Sequence, residues 1–172
     1  MPWVWGEYEL RYVFAPEYLA GYQPLWVNAK VLSDASFCEG VLKYGDLTFS
    51  ALAIDVEWLD MVALRQVVRL AKEGLPIIMA REPKQPGRNK SPEFAVLYKE
   101  LMALSNVSSR PTDVLKQKPL LEGENLPDFW CRQDGEERYI FVANPAAKNL
   151  KYPLRYGQAF EDQGSERTVV VN

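Results

Sequence analysis

The sequence predicts an α/β domain with a parallel sheet, followed by an antiparallel β segment. A short apolar run, an amphipathic helix and a second apolar run follow one another between Leu47 and Met79, which is the pattern of a strand–helix–strand unit. A second amphipathic helix leads to another short apolar stretch at Val107. From Lys116 onward the pattern changes to short strands around an Asp-Gly turn, which is typical of a β-hairpin.

The strand–helix–strand unit is predicted from its apolar pattern and from the residues at its helix ends. Residues 49–54 are almost wholly apolar, as a strand buried on both faces of a parallel sheet requires. Asp60 begins the helix as its N-cap, and Gly74 is placed where a left-handed residue ends a helix. Residues 77–80 form the next strand, so the unit predicts two parallel strands joined by a crossover helix.

Further elements are predicted on either side of this unit. Residues 28–37 favour a helix, and residues 41–44 favour a strand between two glycine-containing turns. Ser91 caps a later helix that begins with proline and ends near Asn106, and residues 107–108 follow as an edge strand. That helix has an apolar stripe at three- and four-residue spacing: Phe94, Leu97, Leu101 and Leu104.

Two domains are predicted, with a boundary where the pattern of the sequence changes from α/β to short strands and turns. Residues 1–115 form the α/β domain, including an N-terminal segment rich in aromatic residues, and residues 116–172 form the antiparallel segment. The aromatic segment contains Trp3, Trp5, Tyr8, Tyr12, Phe14, Tyr18, Tyr22 and Trp26. The antiparallel segment combines a hairpin over residues 129–143 with two later strands, 150–154 and 168–171. Because a small ribbon is marginal alone in water, it must dock on the α/β domain or begin a β-sandwich.

Composition excludes several classes of function. The chain contains no histidine, so it has neither a Ser-His-Asp nor a Cys-His catalytic set, and no histidine-ligated metal site. A net charge of −3 without a strongly basic stretch argues against nucleic acid as a partner. No apolar run approaches the roughly 20 residues that cross a membrane, and residues 1–5 lack the features of a signal peptide. Cys38 and Cys131 are expected to be unpaired thiols, with a disulfide as the alternative.

The candidate site residues follow the predicted parallel strands. Asp55, Glu57, Trp58 and Arg81 lie where ligands bind in open α/β sheets, outside the carboxyl ends of the strands. Acidic residues repel phosphate, and no glycine-rich phosphate loop is present, so no nucleotide or other cofactor is expected. Asp55 and Glu57 are not expected to form a glycosidase pair, because Glu57 is expected to be solvated and the nearby Asp60 to cap a helix, and no catalytic residue is assigned. Trp58 and its neighbours are predicted to contact a substrate or another domain.

Several segments of the chain together resemble a known family of enzymes. The segments are Tyr22-Gln23-Pro24-Leu25-Trp26-Val27-Asn28, Leu42-Lys43-Tyr44-Gly45-Asp46, Phe49-Ser50-Ala51-Leu52, Leu70-Ala71-Lys72-Glu73-Gly74-Leu75-Pro76, Leu126-Pro127-Asp128-Phe129-Trp130-Cys131-Arg132, Tyr139-Ile140-Phe141-Val142-Ala143-Asn144-Pro145 and Tyr156-Gly157-Gln158. This succession resembles the region after the catalytic barrel in bacterial, Bacteroidetes-type glycoside hydrolases similar to the α-L-rhamnosidases of family 106. Nothing in the chain matches the barrel itself.

The resemblance implies a fold and a function. The α/β domain is expected to have a flavodoxin-like open sheet, as class I amidotransferases have, followed by part of a β-sandwich. The chain would be a non-catalytic accessory region that supports the catalytic barrel or its substrate groove in a periplasmic or secreted parent protein. The expected partners are that barrel and an oligosaccharide. The alternative is an independent carbohydrate-binding module that uses the aromatic segment.

Overall fold

The computed structural model describes residues 15–88, 90–143 and 168–172. The chain divides into two compact units, one formed by Leu25–Lys118 and the other by Met1–Pro24 together with Pro119–Asn172. The sequence places a boundary after residue 115, close to the end of the first of these units. It also groups the N-terminal segment with the α/β domain, whereas in the structure the described residues 15–24 belong to the same unit as the C-terminal residues.

The unit Leu25–Lys118 begins with a short helix and a small antiparallel sheet. Helix α1 (Ala29–Asp34) is followed by strands β1 (Ser36–Cys38), β2 (Val41–Tyr44) and β3 (Leu47–Phe49), which pair in the order β1-β2-β3. The predicted helix over residues 28–37 is therefore too long. The backbone leaves the helical region at Ala35, and Phe37 N–H donates to Glu73 Oε2 at 3.1 Å, which draws this segment into an extended conformation.

The predicted strand over residues 49–54 is two strands that belong to different sheets. Phe49 ends β3 and pairs with Leu42 in the antiparallel sheet, whereas β4 (Leu52–Ile54) pairs with β5 (Ile77–Met79) in a parallel sheet. A bend at Ser50 separates them. One continuous apolar run is compatible with either arrangement because Phe49, though only partly buried, packs against the same core as Leu52 and Ile54 of β4.

The parallel sheet and its crossover helices confirm the predicted strand–helix–strand unit. Its strands lie in the order β4-β5-β6, where β6 covers Val107–Ser108. Helix α2 (Met61–Lys72) connects β4 to β5, and helix α3 (Pro92–Met102) connects β5 to β6 and packs on α2. Asp60 caps α2 by accepting a hydrogen bond from Ala63 N–H at 2.7 Å, and Gly74 after its end has a φ of +106°.

The core of this unit lies between the parallel sheet and the helices. All three residues of β5 are almost completely buried, and Leu64, Val67 and Leu70 of α2 have no exposed surface. Each such side chain contributes about 1.5–3 kcal/mol of burial free energy. A short helix, α4 (Pro111–Val114), also packs against β5 and β6. No described helix is long and apolar enough to cross a membrane.

The other unit contains a predicted hairpin that the structure confirms. Strand β8 (Asp128–Asp134) pairs with β9 (Glu137–Ala143) in an antiparallel register around the Asp-Gly turn. A short 3-10 turn covers Glu17–Leu19, and β7 (Leu121–Glu122) pairs with β10 (Val170–Val171). The predicted strand over residues 168–171 is thus two residues long, and the one over residues 150–154 lies outside the described residues.

The aromatic N-terminal segment is described only in part. Tyr18 and Tyr22 are half-buried, while Trp26 has 63% of its surface exposed. The remaining aromatic residues of this segment lie outside the described residues. Both cysteines are free thiols, of which Cys38 is exposed and Cys131 is half-buried.

Candidate functional site

The carboxyl ends of β4 and β5 are joined by backbone hydrogen bonds between the loops that follow them. Lys84 N–H donates to Glu57 O at 2.8 Å, and Leu59 N–H donates to Lys84 O at 3.0 Å. Trp58 and Lys84 consequently form a parallel bridge that prolongs the pairing beyond the strands. The structure therefore brings the segment containing Asp55, Glu57 and Trp58 against the segment that follows Arg81.

Three acidic residues at this edge of the sheet have a cationic or backbone partner. Asp55 forms an ion pair with Arg81, and Glu57 forms one with Lys84 at 3.4 Å. The third carboxylate, Asp60, is used as the N-cap of α2. The sequence suggests an acidic edge that repels anions, but these pairs neutralise it. As exposed pairs they add only about 0–1 kcal/mol each to stability, so their main effect is on the local charge.

Trp58 is the most exposed aromatic residue at the strand ends, with 52% of its surface accessible. Two ammonium groups lie near its indole ring: Nζ of Lys84 is 5.6 Å from the ring centroid, and Nζ of Lys90 is 5.5 Å away. These distances are within the range of a cation–π contact. Lys90 also donates to Gln85 O, and Gln85 Oε1 accepts from Ser91 N–H at 2.8 Å, which orders the loop before α3.

Trp58 lies on the wall of an open groove with a volume of about 700 Å³. Helix α3 supplies another part of the lining, through Phe94, Tyr98 and Lys99. Burial, followed by the nearby carboxylate of Glu82, raises the pKa of Tyr98 above its usual value. We call this feature the Trp58 groove; its lining is Trp58, Glu82, Pro83, Lys84, Gln85, Lys90, Phe94, Ala95, Tyr98 and Lys99.

Sequence reasoning identified one part of the lining of this groove and missed another. Asp55, Glu57, Trp58 and Arg81 were all placed at the strand ends, but among them only Trp58 lines the groove. The helix wall was missed because Phe94 was assigned to the core stripe, where it is indeed 9% exposed. The available signal was the four-residue spacing of Phe94 and Tyr98, which puts both on one helix face.

The chemistry of the groove favours binding. It combines aromatic rings and lysine ammonium groups with the single carboxylate of Glu82. No group of three or more Cys, Asp or Glu side chains that could hold a metal ion occurs among the residues described here. A ring-bearing ligand with an acidic group suits such a lining better than a cation does.

The second unit carries an exposed aromatic surface of its own, on the β8–β9 hairpin. Trp130 pairs with Phe141 across the two strands, and Arg132 pairs with Tyr139, so these four side chains share one face. The exposed fractions are 59% for Trp130, 56% for Tyr139 and 70% for Phe141. We call this surface the hairpin face. Aromatic side chains of this size are usually covered when a sheet is complete.

The outer edge of β8 is blocked by a side chain. Cys131 N–H donates to Gln23 Oε1 at 2.9 Å, and Gln23 Nε2 donates to Cys131 O at 3.2 Å. The amide of Gln23 thereby imitates a neighbouring strand at this position, which protects the edge from pairing with another chain. The hairpin face, rather than this edge, is the surface available for docking.

Comparisons of the chain with protein-family models, with curated proteins and with solved structures find no match.

Proposed function

We propose that this chain is a non-catalytic accessory region of a glycoside hydrolase similar to the family 106 α-L-rhamnosidases. In this proposal it supports the catalytic barrel or its substrate groove, and the parent protein is periplasmic or secreted. The resemblance over residues 22–158 supports the assignment. The pairing of Asp55 with Arg81 and of Glu57 with Lys84 favours a non-catalytic role, since neither carboxylate stands as a free acid or base.

The exposed hairpin face is the single observation on which the accessory role depends most. A two-stranded ribbon with large aromatic side chains open to water is marginally stable by itself. Burying Trp130 and Phe141 against another surface would contribute about 1.5–3 kcal/mol for each side chain. The partner in this proposal is the barrel, or further strands of a β-sandwich, in the same parent polypeptide.

A flavodoxin-like sheet is proposed for the α/β unit because the resemblance to the family 106 enzymes implies it. The consecutive order β4-β5-β6 is the arrangement that one half of such a sheet has, with the crossover helices α2 and α3 packed on each other. The antiparallel sheet β1-β2-β3 precedes these strands in the chain. It would be an addition to the flavodoxin-like pattern.

The accessory role is tested by peptide mapping and oxidative footprinting of the native polypeptide. We expect these residues to be continuous with a barrel-sized region, and Trp130 and Phe141 to be oxidised more slowly there than in the isolated 172-residue chain. Equal oxidation rates in the two forms would contradict the proposal. So would hydrolysis of an aryl α-L-rhamnoside by the isolated chain that is lost in Asp55→Ala or Glu57→Ala but kept in the control Asp46→Ala.

An independent carbohydrate-binding module is the second candidate, and the Trp58 groove favours it. An exposed indole beside polar side chains is a suitable platform for a sugar ring, and a volume of about 700 Å³ is in the range of small-molecule sites. This candidate uses Trp58 rather than the N-terminal aromatic segment. An independent module binds an oligosaccharide as an isolated chain, whereas an accessory region does so only together with its barrel.

A further inference from the structure

The charge of the Trp58 groove is the reverse of what the sequence of the strand ends suggests. Asp55 and Glu57 are occupied by Arg81 and Lys84, as described above. Among the lining residues, three carry an ammonium group, namely Lys84, Lys90 and Lys99, against the one carboxylate of Glu82. Even with the charge of Lys84 set against that of Glu57, Lys90 and Lys99 outnumber Glu82, so the groove is positively charged although the whole chain has a net charge of −3.

Two of these ammonium groups lie near the same aromatic ring. Nζ of Lys84 and Nζ of Lys90 are both within 6 Å of the centroid of the Trp58 indole. The field of these two positive charges is screened only in part by solvent at low ionic strength. An anion bound beside the ring would exchange exposed cation–π contacts for stronger charge-assisted hydrogen bonds.

Trp58 determines which kind of anion fits. The ring is half exposed, and the lysine side chains near it are exposed, with 66% of the Lys84 side chain accessible. When the ammonium groups move from the ring to an anion, the ring face becomes available for the apolar C–H face of a sugar. Phe94 and Tyr98 of α3 add to the aromatic lining.

We propose that the Trp58 groove binds an anionic saccharide, in which a sugar ring carrying a carboxylate or a phosphate stacks on Trp58 while Lys84 and Lys90 hold the acidic group. This inference rests on the carbohydrate-binding candidate above and specifies its ligand. Lys99 lines the same groove and adds to the field that attracts the acid.

The test is calorimetry of the full 172-residue chain with four probes. Trigalacturonate supplies the carboxylate, glucose 1-phosphate the phosphate, galactotriose the neutral control, and inorganic phosphate an anion without a ring. We expect at least one acidic sugar to bind about tenfold more tightly than galactotriose. Its affinity should fall as the salt concentration rises, because salt screens the attraction between the acidic group and the lysines. Whichever acidic probe binds shows whether the groove takes a carboxylate or a phosphate.

Variants separate the contribution of the ring from that of the charges. Trp58→Ala and the double variant Lys84→Ala with Lys90→Ala are each expected to lose about tenfold or more in affinity for the acidic sugar, as removal of a stacking ring or a charge pair does. Lys116→Ala removes one exposed lysine that does not line the groove and should leave the affinity unchanged. Circular dichroism of each variant checks that the fold is retained.

Three results would overturn the inference. Equal affinity for galactotriose would leave carbohydrate binding in place but remove the role of the charges. Equal affinity for inorganic phosphate would remove the role of the sugar ring. Absence of heat with every probe would remove the groove as a binding site, while the accessory role, which is tested through the hairpin face, would be unaffected.

Discussion

Asp113 organises the turn between β6 and α4 through a small network of polar contacts. Its Oδ2 accepts hydrogen bonds from Ser108 Oγ at 2.8 Å and from Arg110 Nε at 2.9 Å, while Arg110 N–H donates to Ser108 Oγ at 3.1 Å. The bond from Ser108 is the largest cause of a lowered pKa of Asp113, with the guanidinium of Arg110 adding to it. Hydrogen bonds to the ionised form are what favour it.

The pKa of Asp113 is therefore expected below its ordinary value of 3.8. Because the folded pKa is depressed, the stabilising contribution of this carboxylate is fully present above pH 3.8 and is lost as the pH falls through the lower folded value. Titration of the carboxyl carbon by NMR measures it directly. Ser108→Ala should raise the pKa towards 3.8, and Ser109→Ala, at the exposed neighbour, should not. An unchanged pKa in Ser108→Ala would show that the hydroxyl has no role.

The pairing of individual side chains at the strand ends was not predictable, although their location was. Parallel strands bring their carboxyl ends to one edge, so Asp55, Trp58 and Arg81 could be placed together from the strand pattern alone. Which carboxylate reaches which cation depends on the path of the loop after β5. The bridge between Trp58 and Lys84 fixes that path, and it has no signal in the periodicity of the sequence.

Between elements, Asn106 connects the end of α2 to the strand β6. Its Nδ2 donates to Ala71 O at 2.8 Å and to Leu75 O at 2.7 Å, and its backbone O accepts from Ile77 N–H at 2.9 Å. The two carbonyls lie at and after the end of α2, where helices leave acceptors unsatisfied. The Asn-Val-Ser pattern also fits a glycosylation site, but a glycan on Nδ2 would remove one of these donors.

Asn106→Ala should lower the free energy of unfolding by about 1–3 kcal/mol, because Leu75 O loses this donor and Ala71 O is left with the backbone N–H of Gly74. Urea unfolding followed by circular dichroism measures the loss. Asn106→Asp should be similarly destabilising, since a carboxylate has no proton to donate at neutral pH. Ser105→Ala changes the exposed neighbouring side chain and is expected to stay within about 0.5 kcal/mol of the original protein. A stability of Asn106→Ala equal to that of Ser105→Ala would refute this role.

Helices with capping residues and a clear apolar face were the elements that could be predicted best. For α2, Asp60, Gly74 and the buried positions all agree with the sequence pattern, because local signals and tertiary packing coincide there. The short strands were harder. The helix α1 ends at Ala35 and the strand β3 ends before Ser50, although the local sequence would favour continuing each of them. Contacts between residues distant in the chain decide the backbone conformation there, such as that of Phe37 with Glu73 and that of Phe49 with Leu42.

At the scale of the molecule, the second unit is built from both ends of the chain. Residues 15–24 join residues 119–143 and 168–172 in it, and Gly21 is one point where the two backbones meet. Leu121 N–H donates to Gly21 O at 3.1 Å, and a Cβ at position 21 would lie 1.9 Å from Leu121 O. The sequence pattern predicts one boundary along the chain and does not predict that the two ends of the chain meet in one unit. Their contact requires that residue 21 has no side chain.

Gly21→Ala is therefore expected to open this unit. The new Cβ meets a backbone oxygen that has little freedom to move, and the φ of +79° is itself strained for alanine, so the loss of stability should exceed about 1 kcal/mol. Gly135→Ala is the matched control in the same unit, because its φ of +59° is also positive while no atom lies within 4 Å of the added Cβ.

Hydrogen exchange distinguishes the two variants. The amide of Leu121 should exchange much faster in Gly21→Ala than in Gly135→Ala, since only the former breaks its bond to residue 21. The amides of β5 lie in the other unit and should keep their protection in both variants if the two units open separately. Equal exchange at Leu121 in the two variants would mean that backbone strain alone, and not the close approach at Gly21, limits this position. In that case the N-terminal segment would be held by its other contacts, among them the amide of Gln23 at the edge of β8.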